Sequence, residues 1–148
     1  MVESGVPRAL AVRRRDCLRR LEDDVDAWVA TASPEGTPYL MPLSFLWNGE
    51  CLFLSTAASN PTARNLRANP AVQLTLGELR DVVHISGVAD AGQPTAAEAQ
   101  AFADKAGFDP RPLANYPFIR ITPTKVQAWR EVGEIAGRLL MRDGVWLA

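Results

Sequence analysis

Ser55, Thr56, Ser59 and Thr62 place four hydroxyls in a short stretch of chain, and Arg64 follows one helical turn in. The segment Ser55-Thr56-Ala57-Ala58-Ser59-Asn60-Pro61-Thr62-Ala63-Arg64-Asn65-Leu66 reads as a strand end, a loop of small residues and a helix start. Asn60 suits the helix N-cap and Pro61 the first helical position. A helix N-terminus exposes unpaired N–H groups and the positive end of the helix dipole, and both attract anions. A guanidinium nearby can fold back and grip a phosphate through two parallel hydrogen bonds. The chemistry this group of residues can do together is phosphate binding. The same residues equally suit a capped connecting helix whose hydroxyls only satisfy the backbone. Neither a P-loop nor a GxGxxG motif accompanies them, so the common nucleotide folds find no support.

The rest of the sequence is poor in reactive groups. It contains no Ser-His-Asp arrangement and no carboxylate pair, and no catalytic residue is assigned. The single histidine, His84, sits on a strand and reads as a structural or interface residue. Cys17 and Cys51 lie far apart without metal-ligand spacing, so they read as reduced, mostly buried thiols and no metal site is expected. Arg13, Arg14, Arg15, Arg19 and Arg20 precede Glu22, Asp23 and Asp24, which suggests a solvated helix face with its charge balanced locally. A formal net charge of -1 gives no electrostatic case for nucleic acid as a partner. Trp28, Trp47, Trp129 and Trp146 read first as core or subunit contacts.

The elements that must position the hydroxyl–arginine segment are mostly strands. The chain has 148 residues, of which 47% are hydrophobic and 22% charged, enough for one folded domain with a proper core. Leu10, Cys17, Leu18, Leu21 and Val25 recur at helical spacing, predicting a helix from about Arg8 to Asp24. Strands are expected over Ala27–Ser33, Pro38–Trp47, Cys51–Thr56, Val72–Leu76, Asp81–Ala89 and Phe118–Arg130, the last broken at Pro123. The second has apolar residues on both faces, so it should be covered on both sides, and Pro42 suggests an edge, a bulge or a ligand-facing bend. Asn48-Gly49 signals a two-residue hairpin, and Leu139–Leu147 a last short one. Short helices are predicted at Pro61–Ala68 and from the Thr95–Glu98 capping box to Gly107. The order suggests an α+β antiparallel barrel of six or seven strands with peripheral helices. No apolar run spans a membrane and no secretory signal is evident, so a cytoplasmic address is expected.

The run WVATASPEGTPYLMPLSFLWNGECLFLSTAASNPTARNLRANPAVQLTLG, with RDVVHISGVAD and FIRITPTKVQAWR after it, resembles the pyridoxamine 5'-phosphate oxidase-like superfamily, in its flavin and deazaflavin oxidoreductase branch. The resemblance covers about Asp26 to Arg130. It implies one FMN-binding split-barrel domain over 1–148, with 1–25 as a helix packed on the barrel, and a homodimer with the cofactor between subunits. FMN is the expected cofactor and coenzyme F-420 the alternative. By the same resemblance Tyr39, Leu40, Met41, Pro42 and Leu43 run beside the ring and its chain. Ser55, Thr56, Thr62, Arg64 and Asn65 meet the phosphate region, and Trp129 and Arg130 approach the ring from the partner subunit. The implied activity is hydride transfer to a small organic substrate, and the alternative is a non-catalytic flavin, deazaflavin or haem binder. Two features depart from the family. Pro61-Thr62 stands where a lysine, often beside an arginine, is usual, and MRDGVWLA lacks the arginine-and-histidine signature of vitamin B6 oxidases.

Overall fold

Inward-pointing apolar side chains recur along six successive strands, and joining the first of these ladders to the last encloses most of them. The structure is a computed structural model that describes residues 5–147; positions 1–4 and 148, which the expected domain limits include, lie outside the described residues. The chain runs through α1 (Leu10–Asp23), β1 (Asp26–Ala32), β2 (Pro38–Trp47), β3 (Leu52–Ser55), α2 (Pro61–Ala68), β4 (Ala71–Glu78) and β5 (Asp81–Asp90). It continues through α3 (Ala96–Ala106), β6 (Phe118–Trp129), a 3-10 turn (Val132–Glu134), β7 (Leu139–Arg142) and β8 (Val145–Trp146). The strand order is β3-β2-β1-β4-β5-β6, and β3 also pairs with β6. That closes a six-stranded antiparallel barrel, with β7 and β8 added beyond β6, which is the expected α+β split barrel.

β6 serves two partners on one side. Phe118–Ile121 pair with β3, whereas Val126 and Gln127 pair with β7. Between the two stretches the ladder to β5 slips: Ser86 faces Lys125 but Gly87 faces Pro123, leaving Thr124 as an extra residue. The Thr124 hydroxyl donates to the Ser86 carbonyl at 3.2 Å, and its own carbonyl accepts the Gly144 N–H at 2.9 Å. The break expected at Pro123 is therefore a bulge inside one continuous strand. A strand bends at such a bulge, and there β6 passes from the barrel to the β7–β8 hairpin.

Val29, Phe45, Leu52, Leu54, Leu74, Ile85 and Ile121 fill the barrel, and α1 adds Cys17 and Leu21 to the same core. Burial pushes the Cys17 thiol up to about 12, so it is an inert packing group. Leu10 and Val25, expected on the buried stripe, are exposed instead, because α1 begins at Leu10 and Val25 lies past its end. α3 packs outside the barrel, where Phe102 meets Phe118 edge to face at 5.5 Å beside Phe53. Its capping box forms as predicted, and Gly107 closes it in the left-handed conformation. The β2–β3 connection is a four-residue loop, Asn48–Cys51, rather than a two-residue turn. The Asn48 side-chain oxygen accepts the N–H groups of Glu50 and Cys51, so the asparagine widens the turn it was expected to tighten.

The arginine face of α1 also departs from expectation. Arg13 is buried, and its guanidinium donates to the carbonyls of Glu134 at 3.0 Å and Gly137 at 3.2 Å. Beside it the Glu134 carboxylate accepts from Arg8 Nη2 at 2.7 Å and Nε at 3.0 Å, and from the N–H groups of Arg8 and Arg130, each at 2.8 Å. These bonds, the Arg8 side chain first, hold the Glu134 carboxyl at about 2, below its ordinary 4.5. A depressed carboxylate contributes stability that is complete above about pH 4.5 and lost as pH falls through about 2. Glu134→Ala leaves Arg8 and Arg13 without their shared partner and is expected to cost about 3 kcal/mol in urea unfolding at neutral pH. The gap between variant and wild type should close as the pH of the titration is lowered through that window.

Candidate functional site

The first half of β2 is the least covered strand of the barrel. β2 pairs with β1 from Pro38 to Ser44, but with β3 only from Phe45 to Trp47. The Phe45 N–H bonds the Val25 carbonyl on the β1 side. By strand alternation the nitrogen of Pro42 then points to the free edge, where no ladder donor is needed. Tyr39, Met41 and Leu43 share the inward face opposite Thr31, Val29 and Ala27, while Leu40 and Pro42 point outward. Cover on both faces is met at Phe45 but not from Pro38 to Pro42, where Leu40 is 59% and Met41 39% exposed. An uncovered apolar strand beside a free edge is a surface for a flat ligand or a second chain.

α2 lies against this end of β1 and β2. The Asn65 amide donates to the Thr31 hydroxyl at 3.0 Å, and Thr31 is the strand neighbour of Tyr39. Thr62, Ala63 and Leu66 are buried, and the Thr62 hydroxyl oxygen has no hydrogen-bond partner. Arg64 is exposed and makes no side-chain hydrogen bond or ion pair among the described residues. Ser59 is exposed and makes no side-chain hydrogen bond among the described residues, whereas Ser55 and Thr56 are engaged within the protein. Ser55 Oγ is shared between the carbonyls of Pro117 at 3.0 Å and Tyr116 at 3.2 Å, which ties the loop before β6 to the end of β3. Thr56 Oγ1 accepts from the Asn60 amide at 2.8 Å. Asn60 does occupy the N-cap, but its side chain turns back to Thr56 and caps nothing, so the helix N–H groups stay unsatisfied by side chains.

Trp129 and Arg130 do not join this group within one protomer. Trp129 ends β6 opposite Val82, whereas the Thr31–Asn65 end of the barrel lies level with Gly87 and Val88. Six residues of strand separate the two levels, about 20 Å. Trp129 sits beneath Arg138 at 5.8 Å, and Arg130 pairs with Asp81 at 3.3 Å and Asp16 at 3.7 Å. The outer barrel face carries Trp28, 51% exposed, between the two levels and Val88, 47% exposed, at the α2 end. On that face His84 bridges two strands, with Nε2 2.6 Å from Gln73 Oε1 and Nδ1 3.3 Å from Gln127 Oε1, in keeping with a structural role. Thr31 was the residue missed from sequence. Its signal was available, since it continues the inward series Ala27, Val29 as the one polar member.

Comparison with known proteins bears on the family and the fold. The sequence profile of the pyridoxamine 5'-phosphate oxidase family matches residues 17–130. No curated protein matches the chain by sequence. Among solved structures, a protein described as an F420 reductase is 26% identical with a TM-score of 0.62, covering 73% of this chain and 93% of its own. A haem-binding protein from Mycobacterium smegmatis is 18% identical with a TM-score of 0.70, covering 94% of this chain and 60% of its own. HutZ, the haem storage protein from Vibrio cholerae, is 15% identical with a TM-score of 0.66, covering 82% and 99%.

The two hydroxyls at this end should respond oppositely to removal. Thr62→Val deletes an oxygen that has no partner, so the melting temperature is expected to hold or rise. Ser55→Ala deletes bonds to the 116–117 carbonyls and is expected to cost about 1 kcal/mol. Thermal unfolding of the two variants side by side checks both.

Proposed function

Since the chain belongs to the pyridoxamine 5'-phosphate oxidase family, we propose that it is a flavin- or deazaflavin-dependent oxidoreductase of that class. It would hold FMN, or coenzyme F-420 in its place, between two copies of the chain for hydride transfer to a small organic substrate. Two separate features of the first turns of α2 support this most: the exposed guanidinium of Arg64, unengaged among the described residues, and the buried hydroxyl of Thr62, which has no hydrogen-bond partner. Burying a hydroxyl oxygen without a hydrogen bond is costly, and a phosphate oxygen beside it removes that cost. The donor set fits an oxyanion without the lysine that the family usually places at Pro61-Thr62.

The other expected residues have separable tasks. The uncovered stretch Tyr39–Leu43 offers a wall to the ring and its chain. Asn65 fixes α2 to Thr31, the strand neighbour of Tyr39. Ser55 and Thr56 hold the loops on either side of the phosphate position. Trp129 and Arg130 would come from the second copy, since their own barrel carries them about 20 Å away. The bound flavin or deazaflavin supplies the hydride chemistry, and the protein supplies placement and polarity. A cytoplasmic homodimer is part of the same reading, with Trp28, Leu40 and Val88 as its apolar contact face. Among the described residues no helix is long and apolar enough to cross a membrane.

The second reading is a protein that holds a flavin, deazaflavin or haem without turnover. The descriptions of the two haem proteins above favour it. His84, the one histidine of the chain, has both ring nitrogens beside glutamine oxygens, so ligating a haem iron would break one of those contacts. Oxidation of reduced nicotinamide or reduced F-420 by the loaded protein separates the two readings.

Arg64→Ala is expected to weaken FMN or F-420 binding to the apo-protein about tenfold or more, the worth of a charge-assisted bond. Equal affinity in variant and wild type would remove the proposed phosphate site. Trp28→Arg is expected to yield monomers by light scattering and to lose the cofactor with the dimer; a variant that stays dimeric would displace the contact face elsewhere.

A further inference from the structure

A cavity of about 530 Å³ opens on the far side of α2 from the groove. With 3.6 residues per turn, Ala63, Leu66 and Arg67 share one face of the helix and Asn65 occupies the opposite one. Leu66 forms one wall of the cavity, and Phe118 and Ile119 at the start of β6 form the other. These side chains belong to the barrel core and to the α3 cluster, so the walls are fixed by packing that exists for other reasons. The volume lies in the range of small-molecule sites, which run from about 300 to 1,000 Å³. An apolar lining selects an apolar body.

Two charged residues, Arg67 and Asp90, stand at the mouth, and only one is compensated. Asp90 accepts from Arg120 Nε at 3.0 Å, from Arg120 Nη2 at 3.1 Å and from the Gly92 N–H at 2.6 Å. The Gly92 backbone is part of this latch through that N–H, and a Cβ there would push the Arg120 guanidinium aside. Arg67 donates to the Ala58 carbonyl at 2.9 Å but has no carboxylate partner among the described residues. The mouth therefore presents one free positive charge beside a saturated carboxylate. A cationic ligand would have to break the Asp90–Arg120 pair, whereas an anion meets Arg67 directly.

We propose that this cavity is a second binding site, for a small amphipathic carboxylate with an aromatic or branched aliphatic body. The body packs on Leu66, Phe118 and Ile119, and the carboxylate pairs with Arg67. The site needs no flavin, so it stands whether or not the groove across α2 holds one.

Titration of the full-length protein with 2-naphthoate and with its uncharged counterpart 2-naphthylmethanol tests this, read by calorimetry and by methyl NMR of Leu66 and Ile119. Naphthoate should bind and shift both methyl groups. Arg67→Met should weaken naphthoate about tenfold or more and leave naphthylmethanol unchanged. Ala91→Trp fills the cavity from an exposed rim position and should abolish binding of both without touching the core. Three results would overturn the site: no shift at Leu66 and Ile119, an unchanged naphthoate affinity in Arg67→Met, or full naphthoate binding in Ala91→Trp. Leu66 shifts that follow protein concentration instead of naphthoate would also overturn it, by making a second copy the occupant.

Discussion

Closure of the barrel rests on one strand that has to satisfy three others. β6 borders β5 along its length, β3 at its start and β7 near its end. A regular strand cannot turn from one partner to another on the same side without bending. The extra residue at Thr124, opposite Ser86 and Gly87, supplies that bend, and Pro123 sits beside it without a ladder donor to lose. Everything at the candidate site follows from this geometry. Because β3 is short and is used up by β6 and by the end of β2, the first half of β2 is left with an open edge and bare faces. The Ser55 hydroxyl then ties the loop into β6 to the end of β3.

The opposite end of the barrel is held by charge. Glu134 gathers Arg8, Arg13 and the Arg130 N–H around one buried carboxylate, tying the segment before α1 to the turn after β6. Arg130 also reaches Asp16 and Asp81, and Arg20 shares Asp81 at 2.8 Å. This network places Trp129 and Arg130 at a fixed position on the rim. Arg13 and Glu134 are buried and Arg8 largely so, and removing one partner leaves the others' charges uncompensated, whereas the Arg130–Asp81 and Arg130–Asp16 pairs are partly exposed and weaker. The two ends of the barrel thus carry complementary halves of one proposed site: an anion-binding half at α2 and an aromatic half at the β6 terminus.

How much of this could be read from the residues depended on the range of the interaction. β2 and α2 appear at the expected limits, because alternation, a proline at the first helical turn and Asn69-Pro70 beyond the last are local signals. The α3 capping box and the Asp143-Gly144 hairpin are local as well. Arg13 was misread for the opposite reason. Its neighbours in sequence are other arginines and acids, and only the carbonyls of Glu134 and Gly137, more than a hundred residues on, explain its burial. Ser55 and Thr56 show the limit of composition at the site itself. Hydroxyls near a helix start suggest a ligand, but both are bonded within the chain, which leaves Ser59, Thr62 and Arg64 as the groups with unmet capacity. No pattern in the sequence separates those two cases.

In the proposed function, two halves lying apart in each protomer form one flavin site when two chains meet. Sedimentation velocity of the protein mixed with FMN, followed at the flavin absorption band, tests it most directly. The expected result is flavin that sediments with the dimer at one per chain and is absent from any monomer boundary. Flavin carried by the monomer, or left unbound at the meniscus while the protein sediments as a dimer, would contradict a groove shared between subunits.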